Sequence, residues 1–538
     1  MLQIDEPSAN SSLLMLIADT CEKFNQRVAF KSFGTSITYR QLDRLSNNFA
    51  NHLAHKMNIK KGDRVCLLLP NVLQFPIALI GIFKAGAIAV ALNPLYTEQE
   101  IKKSMEDSGA KIIITLDLFL DKFKKIEKEL NLEAVIVSSV GEHLPKLKAN
   151  LIQFTLKYIK KVLPRIQLER VIQYSDLISP AKTDYVVKPS VKNEDLALIQ
   201  YTGGTTGTPS GVMLSHGNIS SNIAQTYEWT ADQFTEKDVI LTPLPVYHIL
   251  SLVGNLFCFM RYGVTNVLLL NARDLKSLVK AIKKEKPTFI SGVDTLFAAL
   301  VKFPGFLKIK SHSFRFCVAG GMALRREVSE QWQRITGLPI IQGYGLSEAS
   351  PIVTLNKISS SCYSPTVGLP LPNTKIKIVD QDYHAVLKGE TGEICVHGPQ
   401  VMKGYWKNED KTSQAIDPEG WLRTGDLGYI DQNNELTIVD RIKDLIIISG
   451  FNVFPSEIEE AVLTREDIIE AAAVSSFDNG VESIKLYLVP KSMQSLADKD
   501  EIKAYIGARL APYKVPKNIH FIAELPKSNI GKILKRSL

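Results

Sequence analysis

The sequence lacks the marks of several protein classes at once. Its 538 residues include only six cysteines and four tryptophans. Cys21, Cys66, Cys258, Cys317, Cys362 and Cys395 stand singly, with no C-x-x-C pair and no nearby histidine to complete a zinc set. They are expected to be reduced core thiols of a cytosolic protein. No stretch of about 18 apolar residues is free of charge, because Lys84 interrupts one candidate and Arg261 the other. No spanning helix is therefore expected. The opening residues carry Asp5 and Glu6 where a secretory signal carries Lys or Arg, so no cleaved leader is expected either. Internal repeats and low-complexity segments are missing. Charge of one sign is also scarce: 64 basic against 56 acidic residues leave +8. That balance is too mild to argue for nucleic acid, although it would help a face docked on an anionic membrane.

What is present fits a globular chain, with 45% hydrophobic and 22% charged residues. The length exceeds what one core organises and predicts several domains. Tyr39 to Leu53 reads as a helix, and Asp63 to Leu69 as a buried strand. A second such pair follows, a helix from Pro76 to Gly86 and a strand from Ala87 to Leu92. Apolar runs at 111–115 and 134–137 add two short strands. Strands alternating with helices predict an α/β chain with doubly wound parallel sheets. Near Arg441 the texture changes, and the remaining stretch has its own helices and strands, including Glu457–Leu463 and Ile484–Val489. The expected division is a large N-terminal domain, 1–442, and a small α+β domain, 443–538.

The strongest local signal is Tyr201-Thr202-Gly203-Gly204-Thr205-Thr206-Gly207-Thr208-Pro209-Ser210-Gly211-Val212. A strand-like approach, Leu196 to Ile199, runs into glycines and threonines. Glycines let backbone N–H groups approach an anion, and hydroxyls donate to phosphate oxygens or reach a metal. The spacing matches neither G-x-x-x-x-G-K-[ST] nor G-x-G-x-x-G. On its own, such a loop is also compatible with a plain hairpin turn.

The loop resembles the phosphate-binding signature of the adenylate-forming superfamily, in the form found in bacterial long-chain fatty-acid–CoA ligases. The resemblance covers roughly residues 25 to 538, in an ordered series of motifs. One position departs: Ser210 stands where the family usually has Lys. Pro245-Val246-Tyr247-His248 resembles the family's aromatic-histidine element beside the acyl pocket, with Leu252 where some long-chain members have an aromatic gate. Gly320-Gly321 ends a strand-like run, and Tyr344-Gly345 with Glu348 follows. By resemblance, Tyr344 stacks on adenine, and Glu348 joins Thr206 in holding Mg²⁺, a cation that takes hard oxygen ligands together with substrate phosphates. Trp421-Leu422-Arg423-Thr424-Gly425-Asp426 and Asp440-Arg441-Ile442-Lys443 resemble the family's acyl-CoA signature. They imply that Asp426 accepts from the ribose hydroxyls, that Arg441 donates to the ribose or its phosphate, and that Lys443 is the hinge. Asn434 fills a turn where many relatives have Gly, a change that Asn tolerates because it enters the left-handed region. Ser449-Gly450-Phe451 implies a coenzyme A tunnel, and Ser528-Asn529-Ile530-Gly531-Lys532 implies the catalytic lysine.

The implied reaction joins a fatty acid to coenzyme A through an acyl-adenylate, with ATP as co-substrate. Catalysis would fall to Lys532, Glu348, Thr206 and His248. Nucleotide and coenzyme A binding would fall to Tyr201, Thr202, Gly203, Gly204, Thr205 and Gly207, and to the later motif residues named above. Three other readings stay open: a medium-chain or aryl carboxylate–CoA ligase, an acyl-AMP ligase, and a catalytically impaired membrane-associated binding partner. The residues leave a homodimer and the chain-length preference undecided. The segment 151–166 places Leu151, Phe154, Tyr158 and Val162 near one helical face, with Lys157, Lys160 and Lys161 largely off it. Such a basic amphipathic helix would give a cytoplasmic protein peripheral contact with the inner membrane. An ordinary surface helix is the alternative.

Overall fold

The computed structural model of the chain describes residues 12–538 except 124, 165–167, 181–190, 203–209, 231–232, 449–450, 479–480, 495–496 and 529–530, with only the backbone of 478 and 481. Two compact units emerge from the packing. The first comprises residues up to 364 together with 370–375 and 397–422, and the second comprises 365–369, 376–396 and 423–538. The expected 442/443 boundary thus falls inside the second unit.

Buried β-branched runs set the sheets of the first unit. One sheet runs, in spatial order, Gly404–Tyr405, Ser210–Ser215, Leu196–Thr202, Ile88–Ala91, Arg64–Leu68, Ile112–Leu116, Ala134–Ser138 and Val171–Gln173. From Leu196–Thr202 onward all neighbours are parallel, whereas Ser210–Ser215 and Gly404–Tyr405 close one edge antiparallel. The other sheet includes Ile352–Leu355, Ile341–Gly345, Phe316–Ala319, Phe289–Gly292, Val239–Thr242, Thr265–Leu268, Val28–Ser32 and Thr35–Thr38, parallel in its interior, with Ile352–Leu355 and Thr35–Thr38 each paired antiparallel to its inner neighbour. Near-continuous apolar strands of this kind are buried on both faces by helices. The helix Tyr39–His55 starts on a reciprocal cap between Thr38 and Gln41, and the helix Gln74–Lys84 packs against it. Gly81 permits that approach, since a Cβ there would lie 2.8 Å from the Phe49 ring.

Within the second unit, the strands Lys375–Val379, Gly392–His397, Leu422–Ile430 and Leu436–Arg441 form one sheet. A separate core joins Ile446, Val453, Ile458, Leu486 and Ile502, all at or near zero exposure. Around it lie the helices Pro455–Leu463 and Lys499–Gly507 and the strands Ile468–Asp478, Val481–Pro490 and Asn518–Phe521.

The cysteines are buried except Cys362, which is exposed and corrects the expectation of six core thiols. Among the described residues, no helix is long and apolar enough to cross a membrane. The basic segment is helical from Lys146, earlier than the sequence suggests, through Phe154, and continues as a wider π-helical turn, Thr155–Ile159.

Candidate active site

In open α/β sheets, ligands bind beyond the carboxyl ends of the parallel strands. Gly320, Gly321, Tyr344, Gly345 and the turn at His248 gather there. The strands Phe316–Ala319 and Ile341–Gly345 are parallel neighbours, so Gly320 and Gly321 emerge beside Gly343, Tyr344 and Gly345. A Cβ on Gly320 would sit 3.5 Å from the Gly343 carbonyl oxygen. Gly321 holds a φ of +83°, which L side chains rarely adopt. Gly345 is the tightest position: a Cβ there would lie 2.0 Å from the Pro351 oxygen. These glycines leave a low backbone shelf with the half-buried Tyr344 at its edge.

The His248 turn lies against the same shelf, because Leu250 methyls come within 3.8 Å of the Cβ positions of both Gly320 and Gly321. The sequence did not single out what fixes this turn. Buried Asn71 donates from Nδ2 to the carbonyls of Thr242 and Leu244 and accepts from the Val246 N–H at 2.9 Å. Gln200 donates to the Tyr247 carbonyl at 3.1 Å. His248 Nδ1 accepts from the Leu250 N–H at 3.3 Å and caps the short helix Ile249–Ser251. Leu252 is fully buried.

The glycine–threonine loop connects two antiparallel strands, with Thr202 opposite Ser210 and Tyr201 opposite Gly211. Gly203, Gly204, Thr205, Thr206 and Gly207 lie outside the described residues, so only the ends of the loop are placed. Thr202 Oγ1 donates to the Ser210 carbonyl at 3.4 Å. Tyr201 follows Ile199 into the apolar core, and its hydroxyl donates to the Asp107 carboxylate. Its side chain therefore anchors the strand end. Gly211 is enclosed as well, since a Cβ there would meet Ile199 at 2.7 Å and Trp406 at 3.2 Å.

Glu348 sits on a short turn after the Tyr344 strand, tied by its carbonyl to the Met402 N–H at 2.8 Å. Two residues that carried no motif complete its surroundings. Tyr405 donates from its hydroxyl to Glu348 Oε1 at 2.9 Å. Lys411 places Nζ 2.6 Å from Ser210 Oγ and 4.1 Å from the centre of the Tyr405 ring. Burial and then the Glu348 charge hold the Tyr405 phenol above its usual range. Glu348 supplies a hard carboxylate oxygen of the type Mg²⁺ accepts.

In the second unit, Asp426 and Arg441 are cross-strand partners, joined Oδ1 to Nε at 2.8 Å. Asp426 is 4% exposed. Lys532 lies at the end of a tight hairpin in which Ser528 N–H donates to the Lys532 carbonyl at 2.7 Å and Lys532 N–H donates to Ser528 Oγ at 3.1 Å. Gly531 turns that hairpin at a φ of +87°. The Lys532 amine is pushed down to about 8, by burial first, then by Arg441 and Lys443, against the upward pull of Asp426 and Asp444. Lys443 is also held below its usual range, chiefly by burial and then by Arg441. The structure thus brings Asp426, Arg441, Lys443 and Lys532 together. Phe451 stands apart from them in this unit, 56% exposed and stacked on Tyr513 at 4.8 Å. Ser449 and Gly450 lie outside the described residues.

Profile comparison matches residues 17–406 to "AMP-binding enzyme" and residues 457–532 to "AMP-binding enzyme C-terminal domain". The chain is 40% identical over 535 residues to a long-chain-fatty-acid–CoA ligase of Salmonella typhimurium, covering 99% of this chain and 95% of that one. A Haemophilus influenzae protein of the same name is 40% identical over 540 residues, with the same coverage. Among solved structures, ATP-bound MatB from Rhodopseudomonas palustris superposes with a TM-score of 0.85 at 25% identity, covering 98% of each chain.

The lowered amine of Lys532 has a direct chemical consequence. Its charged form dominates below about pH 8 and its neutral, nucleophilic form above. Brief acetylation of the native protein, mapped by mass spectrometry, should label Lys532 with a midpoint near pH 8, while ordinary lysines follow about 10.4. A Lys532 midpoint at the ordinary value would overturn the assignment.

Proposed function

The chain belongs to the AMP-binding enzyme family, and on that premise we propose that it activates a long-chain fatty acid with ATP and transfers the acyl group to coenzyme A. The observation that carries the reading is the full-length match to long-chain-fatty-acid–CoA ligases.

A carboxylate is a poor electrophile, and its approach to ATP brings anion against anion. In the first half-reaction a carboxylate oxygen attacks the α-phosphorus, the bond to the β-phosphate oxygen breaks, and pyrophosphate leaves. Positive charge between the two anions favours the crowded transition state over the separated reactants. Lys532, still mainly protonated at neutral pH, supplies that charge. Arg441, aligned by Asp426, holds the ribose side, and Tyr344 faces the base across the Gly320–Gly321 shelf. Glu348 and Thr206 would hold Mg²⁺, which when bound neutralises phosphate charge. His248 borders the acyl side. In the second half-reaction the coenzyme A sulfur attacks the acyl carbon, and AMP leaves with the electrons of the acyl–oxygen bond.

Lys532 would obstruct that thiol. Its segment, 443–538, has its own core, which supports rotation of this part as a mobile lid about Lys443 after adenylation. Ser449, Gly450 and Phe451 would then line the path of coenzyme A. The exposed face of the helix Lys146–Phe154 and the turn after it supports peripheral membrane contact. Leu151, Phe154, Tyr158 and Ile159 are all more than half exposed there, beside Lys157. A cytoplasmic enzyme with that face would meet fatty acids at the inner surface of the membrane.

Pyrophosphate release across an acid panel, with and without coenzyme A, tests the reading. Long-chain acids should give release, and acyl-CoA should form only when coenzyme A is present; a preference for aryl or medium-chain acids would replace it. Lys532→Ala should lower adenylation by about 10²–10³-fold yet still convert supplied acyl-adenylate and coenzyme A to thioester, and equal loss of both steps would defeat its assigned role. Lys443→Pro should chiefly slow thioester formation by stiffening the hinge; an unaltered second step would remove the hinge from Lys443. Wild-type chain should float with anionic liposomes and the Lys157→Glu/Lys160→Glu/Lys161→Glu variant should not, whereas equal flotation would exclude the basic helix as the contact.

A further inference from the structure

Residues 320–325 join the strand Phe316–Ala319 to the helix Arg326–Thr336 with no helix or strand of their own, and they include the Gly320–Gly321 shelf. Glycine backbone is permissive, yet a shelf serves a planar base only if its supports hold it to within about 0.5 Å. What fixes this segment therefore bears on the site.

Three consecutive residues at the neighbouring strand end do so. Gly292 pairs in register with Ala319, and its carbonyl accepts from the Gly320 N–H at 3.2 Å. Val293 Cγ1 lies 3.9 Å from the Cβ position of Gly321. Asp294 holds the far end. Its Oδ1 accepts from the Arg325 N–H at 3.0 Å, and its Oδ2 accepts from Arg325 Nε at 2.8 Å and lies 2.6 Å from Nη2. A carboxylate only 2% exposed thus turns both oxygens to one residue. An aspartate that opens a helix, as Asp294 opens Asp294–Lys302, ordinarily serves the charge balance of that helix. These contacts serve a different helix. Arg326–Thr336 has Arg325 as its N-cap residue, with no side-chain cap hydrogen bond, where Ser, Thr, Asp or Asn is usual. Its start is set instead by Asp294, 31 residues away. Gly292 fixes where the shelf segment begins, and Asp294 fixes where it ends.

We propose that Asp294 and Arg325 are positioning residues for the adenine base of ATP and AMP, their ion pair setting the height of the Gly320–Gly321 shelf beside Tyr344. The inference rests on the functional reading above and adds two residues to it. They act through the backbone of 320–325. Removing the arginine alone strands a buried carboxylate, which costs more than the loss of the contact itself. Replacing both by amides keeps hydrogen bonding at the two positions and strands no charge.

Titration calorimetry of the full chain with AMP, Mg-ATP and Mg-pyrophosphate tests this without any acid substrate. Arg325→Met should weaken AMP and ATP by about 10-fold and leave pyrophosphate, which has no base, unchanged. Asp294→Asn/Arg325→Gln should bring AMP back to within about 2-fold of wild type. Should Arg325→Met fail to fold, Arg325→Lys, which keeps the charge but not the planar fork, should still weaken AMP while sparing pyrophosphate. Equal weakening of AMP and pyrophosphate, or unchanged AMP affinity in the single variants, would reduce the pair to a staple of the fold and overturn the proposal. Failure of the double-amide variant to recover AMP binding at wild-type melting temperature would overturn it as well. A wild-type chain that binds AMP and ATP but makes no acyl-CoA would refute the functional reading alone. One that binds neither nucleotide would refute both.

Discussion

The Asp426–Arg441 pair is the interaction on which the reactive end of the second unit depends. The two side chains meet because their strands pair in register, and Asp426 is buried. A buried carboxylate needs a partner, and the partly exposed Arg441 guanidinium supplies it. Once aligned, Arg441 becomes, after burial, the main influence that lowers the Lys532 amine. Four cations, Arg441, Lys443, Lys532 and Arg536, then act among the described residues around two carboxylates, Asp426 and Asp444. The excess positive charge is best relieved by an anion. An anionic substrate restores the balance, and its arrival raises the lysine toward full protonation when that charge is useful.

The first unit solves a different problem, that of close approach, and solves it with backbone. Gly345 lies so near Pro351 that no side chain fits, and the resulting turn sets Glu348 just beyond Tyr344. The His248 turn is fixed by Asn71 and Gln200 through amide contacts to backbone carbonyls. None of these contacts adds charge. That is why the Ser210–Lys411–Tyr405–Glu348 group stands out: it is where an ammonium and a carboxylate come close to the loop's end while sharing one tyrosine, the ring facing Lys411 and the hydroxyl donating to Glu348.

Much of the candidate site is named by the sequence because its motifs are contiguous. Gly-Tyr-Gly, Thr-Gly-Asp and Gly-Lys each name both a backbone geometry and a candidate side chain; the first lies at the end of a parallel strand of the first unit, and the other two belong to the second. Asn434 was readable for the same local reason, and its φ of +65° occupies the left-handed region as expected. Tyr201 shows where local reading stops. It belongs to the loop motif, yet strand alternation sends its ring into the core with Ile199. Lys411 and Asn71 were out of reach because their meaning lies in contacts across more than 170 residues. The only local hint was negative, the serine at 210 in a hairpin without basic residues. The domain boundary was unclear for a related reason: the sheet that ends at Arg441 is continuous in the chain with the segment that follows, and packing groups the two.

That grouping is compatible with the proposed rotation, because the hydrogen bonds from the sheet to the helix that follows are individually weak. Ser456 N–H donates to Asp440 Oδ2, and Ser456 Oγ donates to the Val439 carbonyl, each at 3.0 Å. A typical hydrogen bond contributes about 1 kcal/mol net, so releasing two of them is a small penalty beside the core that holds 446–519 together. The lid segment keeps that core whichever way it turns. The larger restraint is electrostatic: Lys532 leaves the neighbourhood of Asp426 only if its attraction to bound anion weakens. Departure of pyrophosphate removes most of the negative charge that the first half-reaction gathers. In the proposed cycle, the same charge balance that would draw Lys532 in for adenylation would also relax its hold once adenylation is complete.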